Sequence, residues 1–261
     1  AIYMDGASWV TIDNQAQDFT FGTEDWTIEF WVYTTFTADP EYIVSQRTDA
    51  SNGWYMRIDS GSKRLQYSDS DGGQYANGGN NTLVTGWNHC VWVVNSGVPA
   101  FYTNGVYNVG YLNVATFDQT ANYTGSLVIA NWGESSDTNP LTGTISNLRI
   151  VKGTAVYTSN FVPPLTPLTN ITNTKLLCCQ SDSSATAATV IPSGSITANG
   201  DPTAGAQTIP VSGSLNATIT WPDRVKWNGG TTPTLQSRVG GFQLFRFTTV
   251  DTGLNYNAWE E

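Results

Sequence analysis

Residues 141–168, LTGTISNLRIVKGTAVYTSNFVPPLTPL, carry the reading on which the fold turns. In the first part Ile145, Leu148 and Ile150 supply apolar side chains, whereas Thr144, Ser146, Asn147 and Arg149 are polar. That is the alternation of a half-buried β-strand with one irregular step, opened by Gly143 and closed by Gly153. The chain then runs through TAVYTSNF to Pro163, Pro164 and Pro167. Proline has no N–H to give to a ladder, so this exit is predicted to lie extended against a surface and not within a sheet.

Working outward, FGTEDWTIEFWVYT (residues 21–34) reads as the clearest strand. Trp26, Ile28, Phe30 and Val32 share one face and are expected to pack between two sheets. Asp25, Thr27, Glu29, Trp31 and Tyr33 share the other, and Glu29 reads as a solvated strand residue. Near the start, Asp5-Gly6 predicts a hairpin turn after a first strand. Further strands are expected at Trp54–Ile58, around Leu65 and Tyr67, at Gly86–Val94, at Phe101–Val106 and at Leu127–Ile129. Residues 69–81, rich in Gly, Asn and Asp, read as a loop. No stretch supports a long amphipathic helix, so the chain is predicted to be all-β.

Residues 1–180 are assigned to one sandwich domain. Residues 181–206, small and polar, read as a connector in which Val190, Ile191 and Ile196 could supply a strand to a neighbour. Residues 207–261 alternate again and form a small β-rich C-terminal module.

These motifs resemble laminin-G-like, concanavalin-A-like jelly-roll domains, in the variant common in bacteriophage tail fibre and structural proteins. The resemblance rests on the 141–168 segment, on YMDG at the start, on WTIEFWV, and on GWNHCVWVV followed by FYTNGV. It implies a two-sheet antiparallel jelly roll, with the last two motifs paired through Ser96-Gly97 and closed at Asn104-Gly105. It also implies a last strand at Lys175–Gln180. WPDRVKWNGGTTPTL (residues 221–235) with FTTVDTGLNYNAW (residues 247–259) resembles a coda found at the ends of phage fibre proteins.

Charged residues make up only 12% of the 261 positions, against a usual share of about 25%. Solubility then falls to Thr, Ser, Asn and Gly, which suits virion or extracellular surfaces. A net charge of -10 repels nucleic acid and anionic bilayers, so neither is an expected partner. No run approaches the roughly 20 apolar residues of a membrane helix. The start at Ala1, without Met and directly in a strand-like segment, fits a processed product or a piece of a longer polypeptide. Cys90, Cys178 and Cys179 are too few for a disulfide framework or zinc site and read as buried free thiols. Cys178 and Cys179, adjacent on a strand, are expected to point to opposite faces.

Candidate chemistry is sparse. Glu24, Asp25 and Glu29 look like the carboxylates of a jelly-roll glucanase, but the first two point to opposite faces, so no catalytic residue is assigned. His89, the only histidine, reads as a packed residue with one ring hydrogen bond. Asp69 with Asp71, and Asp137 with Asn139, are the clusters that a Ca²⁺ site would use, but they lack the order of a dedicated loop and read as solvated acids. No cofactor is therefore expected. For sugar binding the best candidate is Trp132 with Asn131, Glu134 and Asp137, followed by Tyr75 with Asn77.

The resemblance implies a non-enzymatic bacteriophage virion subunit on the particle surface, either a tail fibre or a capsid fibre or decoration protein. Its partners would be copies of itself in a homotrimer, other virion proteins and host-surface polysaccharide. The alternative is a secreted or cell-surface bacterial lectin-like module; a glycoside hydrolase is the third reading.

Overall fold

The computed structural model describes residues 1–13, 18–49, 51–69, 73–114, 116–117, 123–133, 139–192 and 194–206, with the backbone of 225–227, 245–251 and 255–260. The chain divides into two units, Ala1–Ile209 and Pro210–Glu261. Among the described residues every regular element is a strand. The first unit contains β1 (Ile2–Asp5), β2 (Trp9–Ile12), β3 (Trp26–Thr34), β4 (Glu41–Arg47), β5 (Gly53–Asp59), β6 (Arg64–Asp69), β7 (Gln74–Gly78), β8 (Gly86–Asn95) and β9 (Val98–Thr103). It continues with β10 (Val106–Tyr107), β11 (Val109–Leu112), β12 (Leu127–Ile129), β13 (Thr142–Lys152), β14 (Thr174–Cys178), β15 (Ala188–Val190), β16 (Ile196–Asn199) and β17 (Thr203–Ala204).

Two antiparallel sheets result. A nine-stranded sheet runs β10-β9-β8-β3-β13-β1-β17, with β14 and β15 continuing from β13; an eight-stranded sheet runs β11-β7-β6-β5-β4-β12-β2-β16. Their inner faces share one core, in which Trp26, Ile28, Phe30 and Val32 are fully buried, as the alternation predicts. Aromatic rings bridge the sheets: Tyr67 of β6 lies 5.4 Å from Trp26 and 5.0 Å from Trp92, centroid to centroid. Phe21 stacks on Trp26 at 4.1 Å. Large buried aromatics of this kind dominate the energetics of a sandwich core.

The central stretch behaves as its sequence indicates. The irregular step is a bulge between Ser146 and Arg149, with Asn147 in the left-handed region at φ 52°. The extra residue lets Ile145, Leu148 and Ile150 all face the core while turning Arg149 outward opposite Glu29. Beyond Gly153 the exit lies as a strap over the outer face of the nine-stranded sheet. Ala155, Tyr157 and Phe161 cover Val91, Val93, Ala100 and Tyr102. Thr27 Oγ1 donates to the Thr154 carbonyl (3.0 Å), the Phe161 N–H donates to the Gly105 carbonyl (2.9 Å), and the Leu168 N–H donates to Asn147 Oδ1 (2.8 Å).

Several expectations are corrected. Asp5-Gly6 does not make a hairpin: β1 pairs with β13 and β17, whereas β2 pairs with β12 and β16, so the turn crosses between sheets. The 69–81 region, read as a loop, contains β7, and residues 41–47, where no strand was expected, form β4, a fully buried strand with polar side chains. Residues 181–206 are woven into the first unit, since β15 pairs with β14, β16 with β2 and β17 with β1. Their hydrophobic residues add strands to their own chain. All three cysteines are free and buried. However, Cys179 adopts φ 61°, which turns its side chain to the same face as Cys178, and the two sulfurs stand 3.5 Å apart.

In the second unit β18 (Val225–Trp227), β19 (Phe245–Asp251) and β20 (Asn255–Glu260) form a sheet in the order β18-β20-β19, parallel between β18 and β20 and antiparallel between β19 and β20.

Candidate functional site

The strap closes off the residues that carry catalytic-looking chemistry. Glu29 is fully buried, not solvated, because Tyr157 and the rest of the strap cover its face of the sheet. Its Oε1 accepts from Arg149 Nε at 2.7 Å and its Oε2 from the Tyr157 hydroxyl at 2.7 Å. His89 is packed between Trp31 at 5.1 Å and Phe161 at 5.7 Å, and its Nε2 faces the same Oε2 at 3.5 Å, a long contact in place of the ring hydrogen bond expected of it. Burial works to raise the Glu29 carboxyl, but His89, Arg149 and Tyr157 outweigh it and hold the group below its ordinary range. Asp25 is committed to the Ser96 N–H at 2.6 Å. Glu29 and Arg149 fasten the strap through the Tyr157 hydroxyl and the Thr169 carbonyl, whereas Asp25 holds the β8–β9 turn.

The opposite surface is different in kind. On β4–β7 the residues alternating with the core point outward, and antiparallel register aligns them in rows across the eight-stranded sheet. One row runs Val128, Ser45, Tyr55, Ser68 and Tyr75. Its neighbour runs Tyr42, Arg57, Gln66, Asn77 and Tyr111. Tyr42 and Tyr55 meet edge-on at 5.2 Å, and Tyr75 and Tyr111 lie 6.4 Å apart. Trp132 joins them from the turn after β12. Ser45 Oγ donates to the Asn131 and Trp132 carbonyls at 3.0 and 3.1 Å, which holds that turn against the sheet. The Arg47 guanidinium sits 4.5 Å from the Trp132 ring and 5.1 Å from Tyr55, and Arg57 sits 5.4 Å from Tyr55 and 5.8 Å from Tyr42. Tyr42 and Arg47 are buried, whereas Tyr55, Arg57, Tyr75 and Trp132 are partly exposed and Tyr111 is 54% exposed. From β4 to β11 the face spans about 19 Å at about 4.8 Å per strand.

Of the residues nominated from sequence, Trp132 and Tyr75 therefore belong to one surface, linked through Tyr55. Asn131 does not present itself to a ligand: it is buried, its amide donates to the Gly133 carbonyl at 3.1 Å, and its Oδ1 accepts from the Trp132 N–H at 2.9 Å. Asn77 is likewise buried. Glu134, Asp137 and Asp71 lie outside the described residues. Asp69 is buried rather than solvated and accepts a hydrogen bond from the Tyr123 hydroxyl. Sequence reasoning missed Tyr42, Arg47, Tyr55 and Arg57. The signal was present in the alternation of Trp54-Tyr55-Met56-Arg57-Ile58, which already puts Tyr55 and Arg57 on the outward face. A second, open cleft of about 320 Å³ lies on the outer face of the other sheet, lined by Tyr3, Tyr33, Trp87, Thr144 and Thr203.

Two antiparallel sheets packed face to face over one core define a jelly-roll sandwich. The sequence profile of the concanavalin A-like lectin/glucanases superfamily matches residues 5–156, and this chain belongs to that superfamily. No curated protein sequence matches it. Among solved structures it is similar to a candidate carbohydrate-binding protein from Bacteroides ovatus, with 16% identity, a TM-score of 0.44, and coverage of 77% of this chain and 58% of that one. It is also similar to the SAP-like pentraxin of Limulus polyphemus, with 16% identity, a TM-score of 0.47, and coverage of 78% and 98%. A third is the CBM40 of the Ruminococcus gnavus IT-sialidase, with 11% identity, a TM-score of 0.45, and coverage of 59% and 95%. The chain thus spans under two thirds of the length of the Bacteroides protein.

Proposed function

We propose that this chain is a non-catalytic glycan-binding module whose binding surface is the outer face of the eight-stranded sheet. One observation carries the reading: Tyr55, Tyr75, Tyr111 and Trp132, from separate segments of the chain, are assembled on that single face beside Arg57 and Ser68. Pyranose rings present apolar C–H faces and polar hydroxyl edges. The flat aromatic rings suit the former, and the guanidinium and hydroxyl suit the latter. A span of about 19 Å fits a short oligosaccharide better than a single sugar. Glycoside cleavage takes two carboxyl groups about 5–9.5 Å apart. The outward-facing carboxylate on β4–β7 is Asp59, and it is bound by Arg64 and Gln66.

The test is affinity electrophoresis of the purified protein through gels holding a panel of neutral and acidic polysaccharides. Retention by at least one of them is expected, and Tyr55→Ala and Trp132→Ala should each weaken it by about tenfold, the effect of losing an anchoring aromatic. Unchanged retention in both variants, each melting like the parent, would overturn the reading.

The resemblance of residues 141–168 and 221–235 to phage fibre proteins supports placing this module on a virion surface as a homotrimer, where weak contacts are multiplied by copy number. Cryo-electron microscopy of native particles tests that placement, and finding the chain only as a free monomer would refute it.

A further inference from the structure

We infer that the aromatic face selects acidic sugars, with the Arg57 guanidinium as the receptor for a uronate carboxylate. This rests on the glycan-binding reading above and narrows it to a class of ligand.

Cations are scarce in this chain, with 11 Lys and Arg against 21 Asp and Glu, yet Arg47, Arg57 and Arg64 all sit on the outer face of β4–β6. They are not equivalent. Arg64 is neutralised by Asp59, with Nε and Nη2 each 2.9 Å from its Oδ2. Arg57 has neutral hydrogen-bond partners: Nε donates to Gln66 Oε1 at 2.6 Å and Nη1 to the Tyr42 hydroxyl at 3.3 Å. Among the described residues no carboxylate lies within ion-pair distance of Arg57, and its Nη2 has no hydrogen-bond partner.

The fork is also held in place. Gln66 Nε2 donates to Asp59 Oδ2 at 3.1 Å, which fixes the amide so that its oxygen faces Arg57. A glutamine orients the guanidinium without cancelling its charge, as a glutamate in that position would. The rings of Tyr42 and Tyr55 lie against it. An oriented guanidinium with unused donors matches the planar geometry of a carboxylate, and such charge-assisted pairs are about twice as strong as neutral hydrogen bonds. Arg47, buried against Trp132 and Tyr55, adds positive potential beneath the stacking rings. The net charge of -10 does not cancel this, because at physiological ionic strength the Debye length is about 8 Å and distant acids are screened while a contact pair is not.

The probes are alginate, polygalacturonate and hyaluronate, each beside its carboxyl-reduced form, which keeps the sugar backbone and removes the charge. They are run against the full chain in the same gels as the neutral panel. Retention is expected on at least one native acidic polymer, with about a tenfold or greater loss on carboxyl reduction, the size of a charged hydrogen bond. Arg57→Gln should reproduce that loss on the acidic polymer, and Arg57→Lys should recover part of it. Native and reduced forms bound within twofold of each other would overturn the inference, as would retention by neutral polymers alone; in both cases the glycan-binding reading survives. Failure of every acidic and neutral polymer to retain the protein would overturn both. The comparison of native and reduced polymers uses the unaltered protein, so it decides the matter even if Arg57→Gln folds poorly.

Discussion

Replacing Arg149 with methionine leaves the Glu29 carboxylate buried without its cation, and the consequence can be worked out in sign and size. Glu29 is fully buried, and Arg149 binds its Oε1 through Nε at 2.7 Å. Removing one partner of a buried pair costs about 3–5 kcal/mol. For a unit of this size each kcal/mol lowers Tm by about 2–4 °C, so Arg149→Met should melt about 6–20 °C below the parent at pH 7. In the parent the folded-state value of Glu29 is depressed. Its stabilisation is therefore present above the unfolded carboxyl range and is lost as pH falls through the lower folded value. In the variant the burial effect, which raises the carboxyl, is no longer opposed by the guanidinium. The penalty is then largest at neutral pH and eases as Glu29 takes up a proton in acid. Thermal melts of both proteins at pH 7 and in mild acid check this, and the gap should narrow on acidification. The double variant Glu29→Gln/Arg149→Met should lose less than Arg149→Met alone. A loss below about 1 kcal/mol at pH 7, which is the range of an exposed pair, or a gap that does not change with pH, would refute the argument.

Gly105 should be intolerant of a side chain. It has φ 80°, and an added Cβ would come within 1.9 Å of the Phe161 carbonyl oxygen, so Gly105→Ala should cost about 2 kcal/mol or more and make the strap easier to cleave in limited proteolysis. The buried thiols should be silent. Burial pushes the Cys90 thiol well up, and the hydrogen bond with Cys179 together with burial does the same for Cys178. A thiol reagent at pH 8 should label neither in the native protein and all three cysteines after guanidinium unfolding; rapid native labelling of Cys90 would contradict the packing described.

What the sequence revealed, and what it concealed, has physical causes. The bulge at Asn147 and the hairpins at Ser96-Gly97 and Asn104-Gly105 were legible because local backbone demands pick out these residues, all of which have positive φ. β4 was concealed because Glu-Tyr-Ile-Val-Ser-Gln-Arg does not look buried. It is buried because its polar groups find partners, some of them far along the chain: Gln46 Nε2 donates to the Tyr123 carbonyl and Ser45 Oγ to the Asn131 carbonyl, while nearer by Gln46 Oε1 accepts from Trp54 Nε1 and Thr34 Oγ1 donates to Glu41 Oε2. Glu29 was misread for the same reason, since a strap more than a hundred residues away covers it. For the site, Trp132 and Tyr75 were legible as aromatics beside polar loops. Their union was not, because it depends on which strands are neighbours, and β12 reaches β4 only through sheet order.

The central claim is most directly tested by a crystal structure of the protein soaked with an oligosaccharide cut from whichever polysaccharide retains it. The account predicts sugar density across the eight-stranded sheet, with a ring stacked on Tyr55 or Trp132 and an acidic group at Arg57. Density in the cleft between Tyr3, Tyr33 and Trp87, with the β4–β7 face empty, would contradict it.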